Sequence, residues 1–193
     1  NLIREAKPDL VVINLAGNQI TNFLKQYAEF GLTFPVGGFG FDTALAWAAG
    51  KGNFVGTWPV VWHHLIDTPG TKAFVGAFTK KYNKPPENQA WGDYIATKIV
   101  AQTINELKSA ESPKIIEHLE KGAKFDVLKT RQGYFRGSDH QLMHEMYAVT
   151  ALPADKIKNQ WDIFASSPAV PGPNEDLEVI AATKEENSCT FPS

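Results

Sequence analysis

Residues 7–18, KPDLVVINLAGN, contain the run that decides the fold. Four consecutive apolar residues, 10–13, lie between the turn pair Pro8-Asp9 and Gly17, and three of them are β-branched. A short, uninterrupted run of this kind is typical of a strand buried on both faces of a parallel sheet. The sequence therefore predicts a buried strand over 10–13.

The segments that follow this strand alternate between helical and extended patterns. They predict, in order, a helix over 20–27 that stops at Gly31, a strand over 33–36, a glycine-rich loop over 37–40, a short helix over 43–49 and an apolar stretch over 54–62. Pro59 in the last stretch favours a sheet edge or a strand end, because proline has no backbone N–H to donate. The alternation predicts an α/β fold in which a parallel sheet is flanked by helices.

The later part of the chain is mainly helical before strands return. Thr68-Pro69 predicts a helix start, because it supplies a capping hydroxyl followed by proline at the first helical position. The remaining patterns predict helices over 89–107 and 112–122, strands over 134–136 and 143–152, and an irregular tail from 166.

The composition gives no reason to expect nucleic acid or an anionic membrane surface as a partner. The chain has 19 Lys and Arg residues against 21 Asp and Glu residues, a formal net charge of −2. A near-balance of this kind produces no strong field of either sign. The sequence also has no run of about 18 apolar residues, so we expect no direct membrane insertion.

The start of the sequence predicts that the chain is part of a longer protein. Asn1 is followed at once by residues 2–6, which read as the tail of a helix. Cys189 cannot form an internal disulfide, since it is the one cysteine. It is either a stray thiol or the partner of a cysteine in a missing N-terminal half.

The patterns favour neither catalysis nor a cofactor or metal. Glycines 37–40 lack both dinucleotide and P-loop spacing, so a sharp turn is the better interpretation. His140 and His144 are metal-ligand types, but a zinc site usually needs a third protein ligand. We predict that they are solvated histidines on a surface strand. His63-His64 would face opposite ways on a strand, with one of them at a cleft.

A ligand site is expected where the parallel strands end, because ligands of open α/β sheets bind beyond the carboxyl ends of the strands. Glycines there let backbone amides approach a carboxylate, and aromatic rings cover an apolar body. The alternative for each ring is that it fills the core. The predicted ligand-binding residues are Ala16, Gly17, Asn18, Phe39, Gly40, Phe41, Asp42, Trp62 and Trp91.

Six segments, in the same order along the chain, resemble the branched-chain amino-acid binding family of ATP-driven transporters, the type I periplasmic binding proteins. They are AKPDLVV (6–12), LKQ (24–26) with GL (31–32), FPVGG (34–38), DTP (67–69) leading to Phe74, KYNKPP (81–86) and YIA (94–96). The resemblance covers residues 1 to about 150.

This resemblance implies a protein with two α/β lobes that close on a ligand, joined by a three-stranded hinge. It assigns 1–86 to the sheet of the second lobe, 87–125 to helices of the first lobe, 126–165 to the hinge crossing and late strands of the second lobe, and 166–193 to a C-terminal tail. Together with the start of the sequence inside a helix, this assignment leads us to expect that the helices over about 89–122 expose apolar side chains or pair with another copy. The implied partners are a small-molecule ligand and an inner-membrane ABC permease. The implied location is the periplasm, after removal of a signal peptide, or the outside of a Gram-positive cell with a lipid anchor.

The ligand implied by the resemblance depends on one loop. Amino-acid binders of the family place an acidic residue after the strand that contains Pro35-Val36, where it faces the ligand's ammonium group. Gly38 or Phe39 occupies that place here, and Asp42 lies further on. A buried, unpaired ammonium group would cost several kcal/mol. We therefore expect an aromatic or hydrophobic carboxylate. The alternatives are a branched-chain amino acid, a ligand-sensing domain of a regulator and an α/β enzyme.

Overall fold

The computed structural model describes residues 2–188 and 190. Asn1 and Cys189 lie outside the described residues, so the expectations for them stay predictions. The described residues form two compact units. Unit 1 runs to Val61 and includes Tyr147–Pro168, and unit 2 comprises Trp62–Met146 and the described residues from Ala169 onward.

The elements follow the predicted order closely. The described α-helices are α1 (Leu2–Ala6), α2 (Asn18–Glu29), α3 (Thr43–Ala49), α4 (Pro69–Tyr82), α5 (Asn88–Leu107) and α6 (Ser112–Glu120). The described strands are β1 (Val11–Asn14), β2 (Val36–Phe39), β3 (Thr57–Val60), β4 (Lys124–Phe125), β5 (Gly133–Phe135), β6 (Leu142–Met143), β7 (Tyr147–Ala151) and β8 (Phe164–Ser166). Short 3-10 helices lie at Ala154–Lys156 and Leu177–Ile180.

The sheet of unit 1 has the described strand order β1-β2-β3-β7-β8. The pairs β1–β2 and β2–β3 are parallel, whereas β3–β7 and β7–β8 are antiparallel. The predicted α/β class with a parallel-rich sheet is therefore confirmed, with two antiparallel strands added at one side.

The prediction that the strand over 10–13 is buried on both faces is wrong. The strand forms and pairs in parallel, but β1 lies at one edge of the described sheet. Leu10 and Val12 are 53% and 60% exposed, while Ile13 is buried. Successive side chains of a strand point to opposite faces, so only one face of β1 is covered in unit 1.

The predicted glycine-rich loop over 37–40 is mostly strand. In β2, Gly37 pairs with Val12 and Gly38 pairs with Ile13. A Cβ atom on Gly38 would collide with the carbonyl oxygen of Ile13. Glycine at this position therefore permits close approach of two backbones, a role that glycine also has inside strands.

Pro59 does not lie at an edge, because β3 stands between β2 and β7. The register of β3 with β2 covers Thr57 and stops before Pro59. On the other side Pro59 is opposite Ala148, whose N–H and carbonyl both bond to Ser167. At Pro59, neither neighbouring strand offers an acceptor that needs a backbone N–H from β3. A proline is therefore tolerated in this central strand.

Unit 2 contains α4, α5, α6 and a small antiparallel sheet of β4, β5 and β6. The predicted start of α4 is confirmed, since the Thr68 hydroxyl accepts a hydrogen bond from the Thr71 amide. Along α5, Trp91, Ile95 and Ile99 are buried, as their helical spacing predicts. No helix among the described residues is long and apolar enough to cross a membrane.

Candidate functional site

Two loops meet at the carboxyl ends of β1 and β2 in unit 1. Asn14 and Phe39 are partners in the last register pair of the two strands. A Cβ atom on Gly40 would lie 2.6 Å from the carbonyl oxygen of Leu15 and 3.9 Å from the Cα of Ala16. The loop after β2 therefore rests against the loop after β1. We call residues 16–18 together with residues 39, 40 and 42 the rim of unit 1.

Backbone groups of the rim are open to solvent. Ala16, Gly17, Asn18 and Gly40 are all exposed. Gly17 is the N-cap of α2, has a positive φ of 55° and supplies no side chain to cap the helix. The first amides of a helix carry partial positive charge and attract anions. The rim therefore presents backbone donors where a carboxylate could bind.

Phe39 and Phe41 lie two residues apart but in opposite surroundings. The Phe39 side chain is 62% exposed at the end of β2. Phe41 is buried, with ring centroids 5.3 Å from Phe164 and 5.9 Å from Phe54. Of the two predicted rings, Phe39 offers surface to a ligand at this rim, whereas Phe41 belongs to the aromatic core of unit 1.

Asp42 caps helix α3. Its Oδ1 accepts hydrogen bonds from the amides of Ala44 at 2.8 Å and Leu45 at 3.2 Å. A carboxylate at this position satisfies amides that have no partner inside the helix. The acid of the rim is thus engaged by its own helix.

The two predicted tryptophans belong to unit 2, where both are buried. Trp62 is fully buried and donates through Nε1 to the Thr71 hydroxyl at 3.3 Å. Trp91 donates through Nε1 to the Val127 carbonyl at 2.9 Å. The two rings stack at 6.4 Å with an interplanar angle of 7°. In unit 2 these rings act as core side chains.

A charged cluster that the sequence did not predict lies beside these tryptophans in unit 2. The Lys129 ammonium group is 4.5 Å from the centre of the Trp91 ring, and Lys129 is only 6% exposed. Burial lowers the pKa of Lys129 to about 7, although the charge of Glu145 acts in the opposite direction. Burial, followed by the charges of His64 and Lys129, lowers the pKa of His63 to about 4.

The prediction that His144 is a solvated surface histidine is wrong. Its Nδ1 lies 2.6 Å from the Lys129 ammonium and 2.8 Å from the Glu145 carbonyl. Burial and then the Lys129 charge lower the pKa of His144 to about 4. His140, by contrast, is partly exposed and pairs with Glu120. Within residues 2–188 and 190, no group of three or more His, Cys, Asp or Glu residues is placed to hold a metal ion.

Glu145 is 1% exposed, and its carboxylate is surrounded by donors. It accepts hydrogen bonds from the Thr130 amide at 2.8 Å and hydroxyl at 2.7 Å, and from Arg131 Nε at 3.2 Å. The sequence held one signal for this burial. Met143, Glu145 and Tyr147 alternate along an extended segment, which places the acid on the same face as two apolar side chains.

His63 and His64 do not lie on a strand, because β3 ends at Val60. Both are partly buried. The prediction that they face opposite sides of a strand is therefore wrong. The apolar stretch over 54–62 extends beyond the end of β3, so the sequence does not show where the strand stops.

The fold and the sequence together place the chain in a known family. The family model for periplasmic binding proteins matches residues 1–156 of the chain. The chain belongs to the periplasmic binding protein family, and its resemblance to the type I members is confirmed. Members of this family bind solutes outside the cytoplasm, in the periplasm or extracellularly, and are not enzymes.

Solved structures of ABC-transporter binding proteins are similar to the chain. A periplasmic binding protein from Burkholderia mallei is 22% identical, with a TM-score of 0.81 over 96% of this chain and 48% of that chain. A branched-chain amino-acid ABC transporter ligand-binding protein from Burkholderia xenovorans LB400 is 28% identical, with a TM-score of 0.74 over 86% of this chain and 45% of that chain. A benzoate complex of a solute-binding protein from R. palustris is 21% identical, with a TM-score of 0.67 over 88% of this chain and 46% of that chain.

The chain spans about half the length of these structures, between 45% and 48%. None of the curated proteins compared with the chain matches it significantly.

Proposed function

We propose that the chain is part of the substrate-binding component of an ABC transporter, and that this component captures a small aromatic or hydrophobic carboxylate for uptake. Family membership supports the solute-binding role. The periplasm, or the outer face of a Gram-positive cell, is the location we propose, and a membrane-embedded permease is the partner.

The observation that carries the choice of ligand is the engagement of Asp42. An amino acid brings an ammonium group, which needs a negative or neutral acceptor once it is buried. The Asp42 carboxylate accepts two hydrogen bonds from α3 and stabilises the start of that helix. The resemblance leads us to expect an acid at Gly38 or Phe39, and Phe39 presents an exposed ring there instead. A carboxylate with an apolar body needs no acidic partner.

The chemistry of the rim fits the two ends of such a ligand. The backbone amides of Gly17 and Asn18, at the start of α2, suit the carboxylate, because a helix N-terminus attracts anions. The next two amides, of Gln19 and Ile20, already donate to the carbonyl oxygens of Ala16 and Gly17. The Phe39 ring suits an aromatic body through offset or edge-to-face contact. Binding proteins of this fold in complex with benzoate and with 3,4-dihydroxybenzoic acid supply precedents for such ligands.

A branched-chain amino acid is the second candidate. It is favoured by the 28% identity to the protein from Burkholderia xenovorans, which is described as a branched-chain amino-acid transporter component. Under this alternative, Asp42 or another acid would meet the ammonium group, and the α3 cap would share its carboxylate with the ligand.

Titration calorimetry on the natural full-length protein distinguishes these ligands. We expect benzoate-type acids to bind more tightly than leucine or valine. Replacing Phe39 with alanine should weaken the binding of the acids by roughly tenfold. Phe30→Ala is the matched control, because Phe30 is 67% exposed but lies at the other end of α2. Tight binding of leucine without binding of the acids would contradict the proposal.

We further propose that the chain is the C-terminal part of a two-lobed protein, with the lobe boundaries that the resemblance implies. Val12 on the edge strand β1 is 60% exposed, and Tyr94 and Val100 on α5 are 43% and 44% exposed. Apolar surfaces of this kind are suited to cover by further residues of the same protein. Hydrogen exchange of the β1 amides in the natural full-length protein and in residues 1–193 alone tests this idea. Equal protection in the two would contradict it.

A further inference from the structure

Three polar atoms form a closed triangle inside unit 2. The Lys129 ammonium lies 2.6 Å from His144 Nδ1 and 2.6 Å from the carbonyl oxygen of Glu145. His144 Nδ1 itself lies 2.8 Å from the same carbonyl oxygen. The triangle sits against the Trp91 ring, which contacts the ammonium group on its face and the imidazole of His144 edge to face.

The geometry of this triangle restricts where protons can be. An ammonium group only donates, so both atoms that face a charged Lys129 must accept. His144 Nδ1 then carries no proton, and the neutral ring is protonated on Nε2. If His144 becomes charged, Nδ1–H would donate to the Glu145 carbonyl and stand beside the ammonium as a second cation. Like charges at this separation oppose each other strongly in a buried site.

A segment with a strained backbone is bonded to Glu145, the residue that supplies the carbonyl oxygen of the triangle. Leu128 has a positive φ of 63°, which is unfavourable for a residue with a branched side chain. On one side, the hydroxyls of Thr68 and Thr71 donate to the Leu128 carbonyl at 3.0 and 2.5 Å. On the other side, Lys129 and Thr130 bond to Glu145. Loss of the second set of contacts would free one end of residues 126–131.

Other charged groups lie around the triangle. His63 lies in the segment after β3, and the charges of His64 and Lys129 both repel a proton on it. Arg131 and Glu145 form an ion pair at 3.2 Å, and Lys98 on α5 pairs with Asp126 at 3.0 Å. Near the triangle three cations, Lys98, Lys129 and Arg131, already face two carboxylates, Glu145 and Asp126, and protonation of a histidine adds a further positive charge.

We propose that Lys129, His144 and the Glu145 carbonyl form an acid-sensitive latch, which tolerates one positive charge and releases residues 126–131 when a second proton binds. The depressed pKa of His144 places the second protonation in mild to moderate acid. Because the two basic groups are coupled, their titration belongs to the pair and not to either side chain alone.

Nuclear magnetic resonance on the full chain tests the latch by following two signals against pH. One is the imidazole of His144, and the other is the hydrogen-exchange protection factor of the Thr130 amide, which bonds to Glu145. We expect both to change together, with protection falling at least tenfold as His144 becomes charged. Charging of His144 without any change at Thr130 would overturn the proposal.

Replacement of Lys129 changes the titration midpoint of His144 only if the lysine charge acts on the histidine, so the midpoint distinguishes the latch from a purely structural role. In Lys129→Met, the repelling charge is gone, so the midpoint of His144 should rise by roughly one pH unit. Lys124→Met is the matched control, because Lys124 lies exposed on β4, and it should leave the midpoint unchanged. An unchanged midpoint in Lys129→Met would contradict the latch.

Two histidine variants keep the test decisive if Lys129→Met does not fold. His144→Gln can still accept a hydrogen bond but cannot become charged, so the acid-induced loss of Thr130 protection should disappear. His63→Gln should retain that loss. The reverse result, with the loss absent in His63→Gln and present in His144→Gln, would assign the response to His63 and refute the latch.

Discussion

At the rim of unit 1 the polar groups are exposed and belong mostly to the backbone, whereas in unit 2 Lys129 and Glu145 are enclosed and use side-chain charge. The rim can exchange water for a ligand at low cost, because its donors are already solvated. The enclosed charges of unit 2 must satisfy each other, since a buried charge without partners is costly. Groups with strongly lowered pKa values, Lys129 and His144, therefore mark a structural cluster in unit 2.

The largest effect is expected inside unit 1, where the comparison can be made between two phenylalanines. Phe41→Ala should destabilise the protein by about 4 kcal/mol, because it removes a buried ring from a packed aromatic cluster. Phe39→Ala should change stability by less than about 0.5 kcal/mol, because an exposed side chain loses little packing. Urea unfolding followed by tryptophan fluorescence measures both. Similar losses for the two variants would show that Phe39 is also a core residue.

The next effect concerns the enclosed carboxylate of unit 2. Glu145→Gln should destabilise the protein by roughly 3 kcal/mol, since it leaves the buried Lys129 and the partly buried Arg131 without their negative partner. Glu120→Gln is the control, because Glu120 is partly exposed and pairs with the partly exposed His140. Thermal unfolding followed by circular dichroism compares them. A Glu145→Gln protein as stable as the control would mean that the buried charges relax at little cost.

The pH dependence of stability should follow the two depressed histidines. His63 and His144 have folded-state pKa values of about 4, below the ordinary 6.5, so the unfolded chain binds protons more readily between these values. Their contribution is fully present above about pH 6.5 and is lost as the pH falls toward 4. The loss should reach up to roughly 3 kcal/mol for each histidine.

Urea titrations at several pH values measure this loss, and the double variant His63→Gln/His144→Gln should flatten the profile. His140→Gln, at a partly exposed site, should not. A profile unchanged by the double variant would assign the acid sensitivity to other groups.

The elements that could be predicted from the sequence are those with a local signal. The apolar residues Ile20, Leu24 and Tyr27 recur at helical spacing and form the buried face of α2. Thr68-Pro69 indicates where α4 begins. In both, a periodic apolar pattern or a cap is sufficient, because neighbouring residues alone decide the conformation. The parallel pairing of β1 with β2 also follows, since a helix connects the two strands.

The features that sequence reasoning missed depend on contacts between distant residues. Gly37 and Gly38 look like a loop in the sequence, and only the close approach of the β1 and β3 backbones makes them strand residues. The Lys129–His144 contact joins residues 15 positions apart, and nothing in either local pattern indicates it. For the rim, the positions of the loops follow from parallel topology, but whether a ring such as Phe41 or Trp62 faces solvent or core does not.

The smallest effect sharpens the choice of ligand at the rim. Asp42→Ala should destabilise the protein by about 1 kcal/mol, because it removes the N-cap of α3.

If the ligand is an aromatic or hydrophobic carboxylate, Asp42→Ala should change the affinity of the natural full-length protein by less than about threefold, since Asp42 then meets no ligand group. Asp67→Ala is the control for a general loss of negative charge, because Asp67 is highly exposed and pairs with the exposed Lys72. If leucine is the ligand and Asp42 meets its ammonium group, the same substitution should weaken leucine binding by on the order of 100-fold. Calorimetry with benzoate and with leucine on both variants therefore decides whether this carboxylate serves the helix alone or also the ligand.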